Sequence, residues 1–124
     1  MMANNAIKTV LIVDDEESVR EIVTEMIGEM GYDVKSAESG EAALDLMSKV
    51  NFDLVISDVK MDGMDGLSLA QRLREKFPKL PLALMTAYPS DSVHSMVREK
   101  LVDFLLLKPF QIDELQGMVL NLTS

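Results

Sequence analysis

Val10-Leu11-Ile12-Val13-Asp14-Asp15-Glu16 is an apolar run that breaks off into three consecutive acids. Four adjacent apolar side chains fit a short strand covered on both faces, the usual situation in a parallel sheet. Similar runs stand at Leu54–Ser57, Leu82–Met85 and Phe104–Leu107, and a more polar one at Val34–Ala37. They begin about 20–30 residues apart, the spacing of strand–helix units.

Helical periodicity fills the gaps. Val19, Ile22, Val23, Met26, Ile27 and Met30 make one apolar stripe, ended by Gly31. A second helix opens at Ser39-Gly40 and carries Ala43, Leu44, Met47 and Val50. The third opens near Asp65-Gly66, carries Leu69, Ala70, Leu73 and Phe77, and is closed by Pro78. The fourth opens at Ser90-Asp91 with Val93, Met96, Val97 and Leu101. The last runs from Gln111 through Ile112, Leu115, Met118, Val119 and Leu122. Five such units predict an α/β fold: a doubly wound, five-stranded parallel sheet with five helices on its two faces. Ligands of such sheets sit beyond the carboxyl ends of the strands, where strand order reverses.

Composition narrows the function. A chain of 124 residues suits one domain, and the absence of cysteine removes disulfide, zinc-thiolate and cysteine-nucleophile chemistry. The net charge of −9 argues against direct contact with nucleic acid or an anionic membrane. Residues 1–65 hold 15 acids and 5 bases, residues 66–124 hold 6 and 7, so the excess lies in the first half. No apolar run reaches the length of a membrane span, and Met1-Met2-Ala3-Asn4-Asn5 lacks the pattern of a signal peptide. The expectation is a cytoplasmic protein with a domain over residues 8–124. Residues 1–7 are expected to be disordered or left over from cloning.

The strand ends carry the chemistry. Strand one runs into Asp14-Asp15-Glu16, strand three into Ser57-Asp58, strand four into Thr86-Ala87 and strand five into Lys108-Pro109. One sheet edge would gather three carboxylates, a hydroxyl and an ammonium. Two carboxylates 4 Å apart repel by about 4 kcal/mol at an effective dielectric of 20. A single lysine leaves such a cluster short of positive charge, and Mg²⁺ is the simplest remedy. Each piece alone has a plainer reading. Asp14 and Asp15 could start a helix, Asp58 with Asp62-Gly63 and Asp65-Gly66 could be turn chemistry, Lys108 a surface lysine and Thr86 a strand-end hydroxyl. The coincidence of all four at strand ends favours a site.

Val13-Asp14-Asp15-Glu16, Ser57-Asp58 with Met61-Asp62-Gly63-Met64-Asp65-Gly66, Thr86-Ala87 and Lys108-Pro109-Phe110 resemble the receiver domain of two-component response regulators. The likeness runs from about Lys8 to Leu122 in motif order and spacing. It implies a flavodoxin-like sheet in the order 2-1-3-4-5, and a signalling domain rather than a classical enzyme. Asp58 would be the phospho-acceptor, served by a phosphohistidine on a sensor histidine kinase or a phosphotransfer protein. Mg²⁺ would be held by Asp15, Asp58 and the backbone carbonyl of Lys60, with Asp14 supporting it through water. Lys108 and Thr86 would contact the phosphoryl oxygens. The surface of the fourth helix, fifth strand and fifth helix would carry the response, with a homodimer through it as one outcome.

Departures from the family pattern are local. Asp62 stands where a proline is common, and Lys60 and Tyr88 hold the positions two beyond Asp58 and Thr86 that modulate water access. The switch position three before Lys108 is Leu105, while the nearest aromatic, Phe104, is one residue earlier and on the opposite strand face. Leu105 is therefore expected to fill the slot.

Rival readings fare worse. A calcium loop starting at Asp58 has Lys60 in its third position and Leu69 in its twelfth, where a bidentate Glu is needed. Neither a phosphate-cradling nor a dinucleotide glycine motif is present. A metal phosphohydrolase would need a separate acid/base and a substrate pocket. A receiver-like interaction module not controlled by phosphorylation is the main alternative, although such modules usually lose an acidic-pair residue, the acceptor or the lysine. His94 is expected to face solvent. The chain ends at Asn121-Leu122-Thr123-Ser124, directly after the fifth helix, as expected of a stand-alone receiver or of one whose output domain has been removed.

Overall fold

A computed structural model describes residues 7–124; most of the expected N-terminal extension, residues 1–6, lies outside it. Five strands alternate with five helices: β1 Thr9–Val13, α1 Glu17–Gly28, β2 Asp33–Ala37, α2 Gly40–Met47, β3 Leu54–Asp58, α3 Gly66–Lys76, β4 Leu82–Thr86, α4 Asp91–Arg98, β5 Phe104–Leu107 and α5 Ile112–Thr123. All strand pairs are parallel, and the sheet order is β2-β1-β3-β4-β5. The expected doubly wound sheet is present. Its order reverses at β1, between β2 and β3.

Side-chain alternation divides the core in two. Val10, Ile12, Leu54, Ile56, Ala83, Met85 and Leu106 face α1 and α5, where Val23, Ile27, Leu115, Met118 and Val119 cover them. Leu11, Val13, Val55, Leu82 and Leu84 face Ala43, Met47, Leu69, Leu73, Val93 and Met96 of α2, α3 and α4. The central strands β3 and β4 are buried at every residue. The apolar run of β5 is different: it is an edge strand, so Phe104 and Leu107 remain exposed.

Helix ends differ from the periodic expectation by a few residues. α1 stops at Gly28, and Met30 and Gly31 belong to a turn in which Gly31 takes φ +92°. That left-handed conformation is open to glycine and strained for other residues. α2 and α4 likewise stop short of Val50 and Leu101, whose apolar side chains belong to the following turns. Ile22, expected on the buried stripe, is 52% exposed.

β5 pairs with β4 in unbroken register, Ala83 with Phe104, Leu84 with Leu105, Met85 with Leu106 and Thr86 with Leu107. Without a bulge, strand parity holds. Leu106 enters the α1/α5 core, and Leu105 packs against the α2–α4 side.

Candidate phospho-acceptor site

Parity also brings the acids together. Asp14 continues the Val10–Ile12 face and Asp58 the Leu54–Ile56 face, so both leave the sheet edge on the α1/α5 side. Lys108 follows Leu106 on that same side. Asp14 is fully buried and Asp58 nearly so. The Lys108 ammonium stands 3.5 Å from Asp14 Oδ2 and 3.5 Å from Asp58 Oδ2. One cation is shared by two carboxylates.

Asp15 is exposed and completes the cluster: a carboxylate oxygen from each of Asp14, Asp15 and Asp58 lies within 4.8 Å of the others. Local bonds fix the β1–α1 turn. Asp14 Oδ1 accepts from the Glu16 N–H at 2.9 Å, and Arg20 donates to the Asp14 carbonyl at 2.8 Å. Asp15 Oδ2 accepts from the Asp62 N–H at 3.3 Å, which ties this turn to the loop after β3.

Burial raises the Asp58 pKa above its ordinary 3.8. The Asp14 charge pushes in the same direction, and Lys108 opposes both. The carboxylate is thus less well compensated than it would be in water. A hard divalent cation among three carboxylates would correct that deficit, so the donor set fits Mg²⁺.

An open groove beside the cluster is lined by Asp15, Glu16, Val59, Lys60, Met61, Asp62 and Asp65. Lys60 is exposed there, and its ammonium lies 5.8 Å from the centre of the exposed Tyr88 ring. Thr86 ends β4, one residue beyond Met85, the register partner of Asp58. Its hydroxyl accepts from the Tyr88 N–H at 3.2 Å. Thus Asp14, Asp15, Asp58 and Lys108 converge, Lys60 lines the adjoining groove, and Thr86 is tied to the β4–α4 loop, with no hydrogen bond to the carboxylates among the described residues. His94 is exposed, as expected.

Two contributors escape a motif reading. Arg20 looks like any helix arginine in sequence, yet it anchors the Asp14 backbone. Gly66, read only as a helix start, donates to the Val59 carbonyl at 2.9 Å. A Cβ at Gly66 would stand 2.2 Å from the Asp58 carbonyl oxygen. Only a residue without one lets α3 start so close to Asp58.

Comparison with known proteins gives the same picture. The response regulator receiver domain family matches residues 10–120. The response regulator protein FleR of Pseudomonas aeruginosa is 39% identical over 111 residues, covering 89% of this chain and 23% of FleR. The DNA-binding transcriptional regulator NtrC of Klebsiella pneumoniae is 36% identical over 109 residues, covering 87% of this chain and 23% of NtrC. The chain thus spans about a quarter of the length of these curated relatives. Among solved structures, response regulator TrrA of Thermotoga maritima, in complex with Mg²⁺-BeF, superposes with a TM-score of 0.84 at 38% identity. That match covers 94% of this chain and 99% of TrrA. Chemotaxis protein CheY4 of Vibrio cholerae gives a TM-score of 0.88 at 29% identity, covering 94% and 99%.

Proposed function

The chain belongs to the response regulator receiver domain family, and from that membership we propose that Asp58 accepts a phosphoryl group from a phosphohistidine on a sensor histidine kinase or phosphotransfer protein. The observation that carries this reading is the Lys108 ammonium 3.5 Å from both buried carboxylates, with a third acid completing the cluster.

An Asp58 carboxylate oxygen attacks phosphorus as the bond to the donor imidazole breaks, and the imidazole nitrogen takes a proton. Desolvation keeps Asp58 weakly solvated and available. Lys108, already at the acceptor, offsets the charge on the phosphoryl oxygens as they arrive. Thr86 can donate its O–H to one of those oxygens while still accepting from the Tyr88 N–H, which would link occupancy of Asp58 to the β4–α4 loop. Asp15, Asp58 and the Lys60 carbonyl would hold Mg²⁺ directly, and Asp14 through water. The ion would neutralise developing charge on the phosphoryl group. That TrrA is solved in complex with Mg²⁺-BeF supports a Mg²⁺ site in this fold, without saying which residues hold the ion.

The response would pass to the α4–β5–α5 surface. Phe104 and Leu107 are exposed on β5, and the second half of the chain is close to neutral, which lowers the repulsion against a second copy. Among the described residues no helix is long and apolar enough to cross a membrane. We place the domain in the cytoplasm, where such kinases deliver phosphoryl groups.

The test is phosphorylation by acetyl phosphate, followed by intact-protein mass spectrometry. One phosphoryl group is expected in the presence of Mg²⁺ and none after chelation or in Asp58→Asn. Equal labelling of wild type and Asp58→Asn would remove Asp58 from this role.

A further inference from the structure

A second groove lies at the end of the sheet opposite Asp58. Phe52 and Asp53 lead into β3, Pro81 leads into β4, and residues 76–80 carry the chain from α3 to β4; together they line about 540 Å³. Asp53 and Asp58 are five residues apart along β3, roughly 16 Å at 3.3 Å per residue. No residue of α1, α4, β5 or α5 lines the groove.

Its walls are fixed before anything binds. Arg74 donates to the Pro78 and Leu80 carbonyls, both at 2.8 Å, and pairs with Asp103 at 3.2 Å. Pro78 and Pro81 lock their own φ and have no N–H to donate. The Phe77 N–H donates to the Leu73 carbonyl, the Leu80 N–H to the Phe77 carbonyl, and the Pro81 carbonyl accepts from the Val55 N–H. A backbone so occupied offers no ladder to an added strand, and recognition falls to side chains. Rigid walls also spare a ligand the cost of ordering them.

Those side chains run against the charge of the chain. Its net charge is −9, yet Arg72, Lys76 and Lys79 are exposed and make no ion pair among the described residues. Glu75 is the one acid between Arg72 and Lys79. Lys76, in the last turn of α3, complements the carbonyls of that helix end. Lys79 lies beyond the helix and has no such role. Asp53, the one acid lining the groove, accepts from the Thr9 N–H at 2.8 Å. Between the two lysines and the apolar walls of Phe52, Phe77 and Pro81, the complement is an anion with an apolar body.

We infer that this groove docks a short acidic segment of a partner protein, with a bulky apolar anchor against Phe52 and Phe77 and carboxylates on Lys76 and Lys79. Apolar contact supplies affinity, and the lysines reject basic segments. A short segment meets only the local charge, because salt screens the rest of the domain within about 10 Å. A second copy of this chain would bring its whole charge of −9 and be repelled. The groove lies clear of Asp58 and of the α4–β5–α5 surface, so the partner stays bound whether or not Asp58 carries a phosphoryl group. The site tethers the domain and leaves both other surfaces free.

Two fluorescein-labelled peptides test this by anisotropy, both with Leu-Phe at the centre, one flanked by glutamates and the other by lysines. The glutamate peptide should bind at least about tenfold more tightly at low salt, with the ratio falling toward one at high salt. Serines in place of its Leu-Phe should weaken binding at least about tenfold. The double change Lys76→Glu and Lys79→Glu should reverse the preference between the two charged peptides. Amide shifts seen by NMR should change at Phe52, Asp53 and residues 76–80, and acetyl phosphate with Mg²⁺ should leave the affinity unchanged. Equal binding of both peptides, no binding of the glutamate peptide, an unchanged preference in the double variant, shifts centred elsewhere or an affinity altered by acetyl phosphate overturns the inference. So does self-association of wild type that the double variant abolishes, which would make a second copy the occupant.

Discussion

Adding one methyl group at Gly66 should disturb both the fold and Asp58, the proposed acceptor. Its Cβ would stand 2.2 Å from the Asp58 carbonyl oxygen, 2.9 Å from Val59 Cα and 3.0 Å from the Asp58 carbonyl carbon. Carbon–oxygen contacts are comfortable at roughly 3.3 Å or more, so the backbone at Asp58 and the start of α3 must part by about 1 Å. The obstacle is backbone on both sides, and no rotamer change relieves it. Overpacking of this kind costs about 1–3 kcal/mol, read as a lower urea midpoint at unchanged slope. A 1 Å displacement of the nucleophile can also cost up to about 100-fold in rate. Phosphorylation of Gly66→Ala by acetyl phosphate with Mg²⁺ should therefore be slowed well beyond any loss of folded protein. Gly117→Ala is the control: nothing lies within 4 Å of its Cβ in α5, and alanine there should add about 0.5–1 kcal/mol of stability. If Gly66→Ala matched wild type in midpoint and rate, the close approach of α3 to Asp58 would be refuted.

Other perturbations separate charge from packing. Because burial and Asp14 raise the Asp58 pKa, the folded protein holds that proton at a pH where the unfolded chain has lost it. Without metal, the Asp58 contribution to stability therefore falls as pH rises through the folded pKa. Asp58→Asn should raise the melting temperature at neutral pH in chelator, and the gain should vanish below the ordinary value of 3.8; a constant gain across that range would contradict the assignment. Lys108→Met removes the cation shared by Asp14 and Asp58, so titration should show Mg²⁺ binding about tenfold tighter while phosphorylation slows; weaker binding would show that Lys108 organises the site rather than offsetting it. Arg74 donates to the carbonyls of Leu101, Pro78 and Leu80 and pairs with Asp103, so Arg74→Met should cost about 2–3 kcal/mol in urea unfolding and speed hydrogen exchange at the α4–β5 turn. Phe104→Leu trims an edge side chain that is 38% exposed and should cost no more than about 1 kcal/mol. Sizing of its phosphorylated form should match wild type; a folded mutant without the response would return the switch to Phe104.

The sheet was legible because each apolar run had to be covered on both faces, and because the acids and Lys108 fell at run ends. Parity carried further: it placed Leu105 opposite Leu106, and the unbroken β4–β5 register bears that out. Exposure at β5 was not legible, since Phe104-Leu105-Leu106-Leu107 looks as buried as Leu54–Asp58 until strand order makes it an edge. Ile22 misled for a related reason. Its periodicity places it on the apolar stripe, but the stripe is wider than the sheet and α5 can cover. The roles of Arg20, Gly66 and Arg74 depend on which backbone atoms lie opposite them, information that spacing along one chain does not hold. The carboxylate motif was readable residue by residue; the backbone that supports it was not.

The acceptor itself can be read chemically. Borohydride reduces an aspartyl phosphate to homoserine, which marks the residue that held the phosphoryl group. Protein treated with acetyl phosphate and Mg²⁺, reduced, digested and sequenced by mass spectrometry should carry homoserine at position 58 and aspartate at positions 14, 15 and 62. Homoserine at any of those three, with position 58 unchanged, would contradict the assignment of Asp58 as the nucleophile.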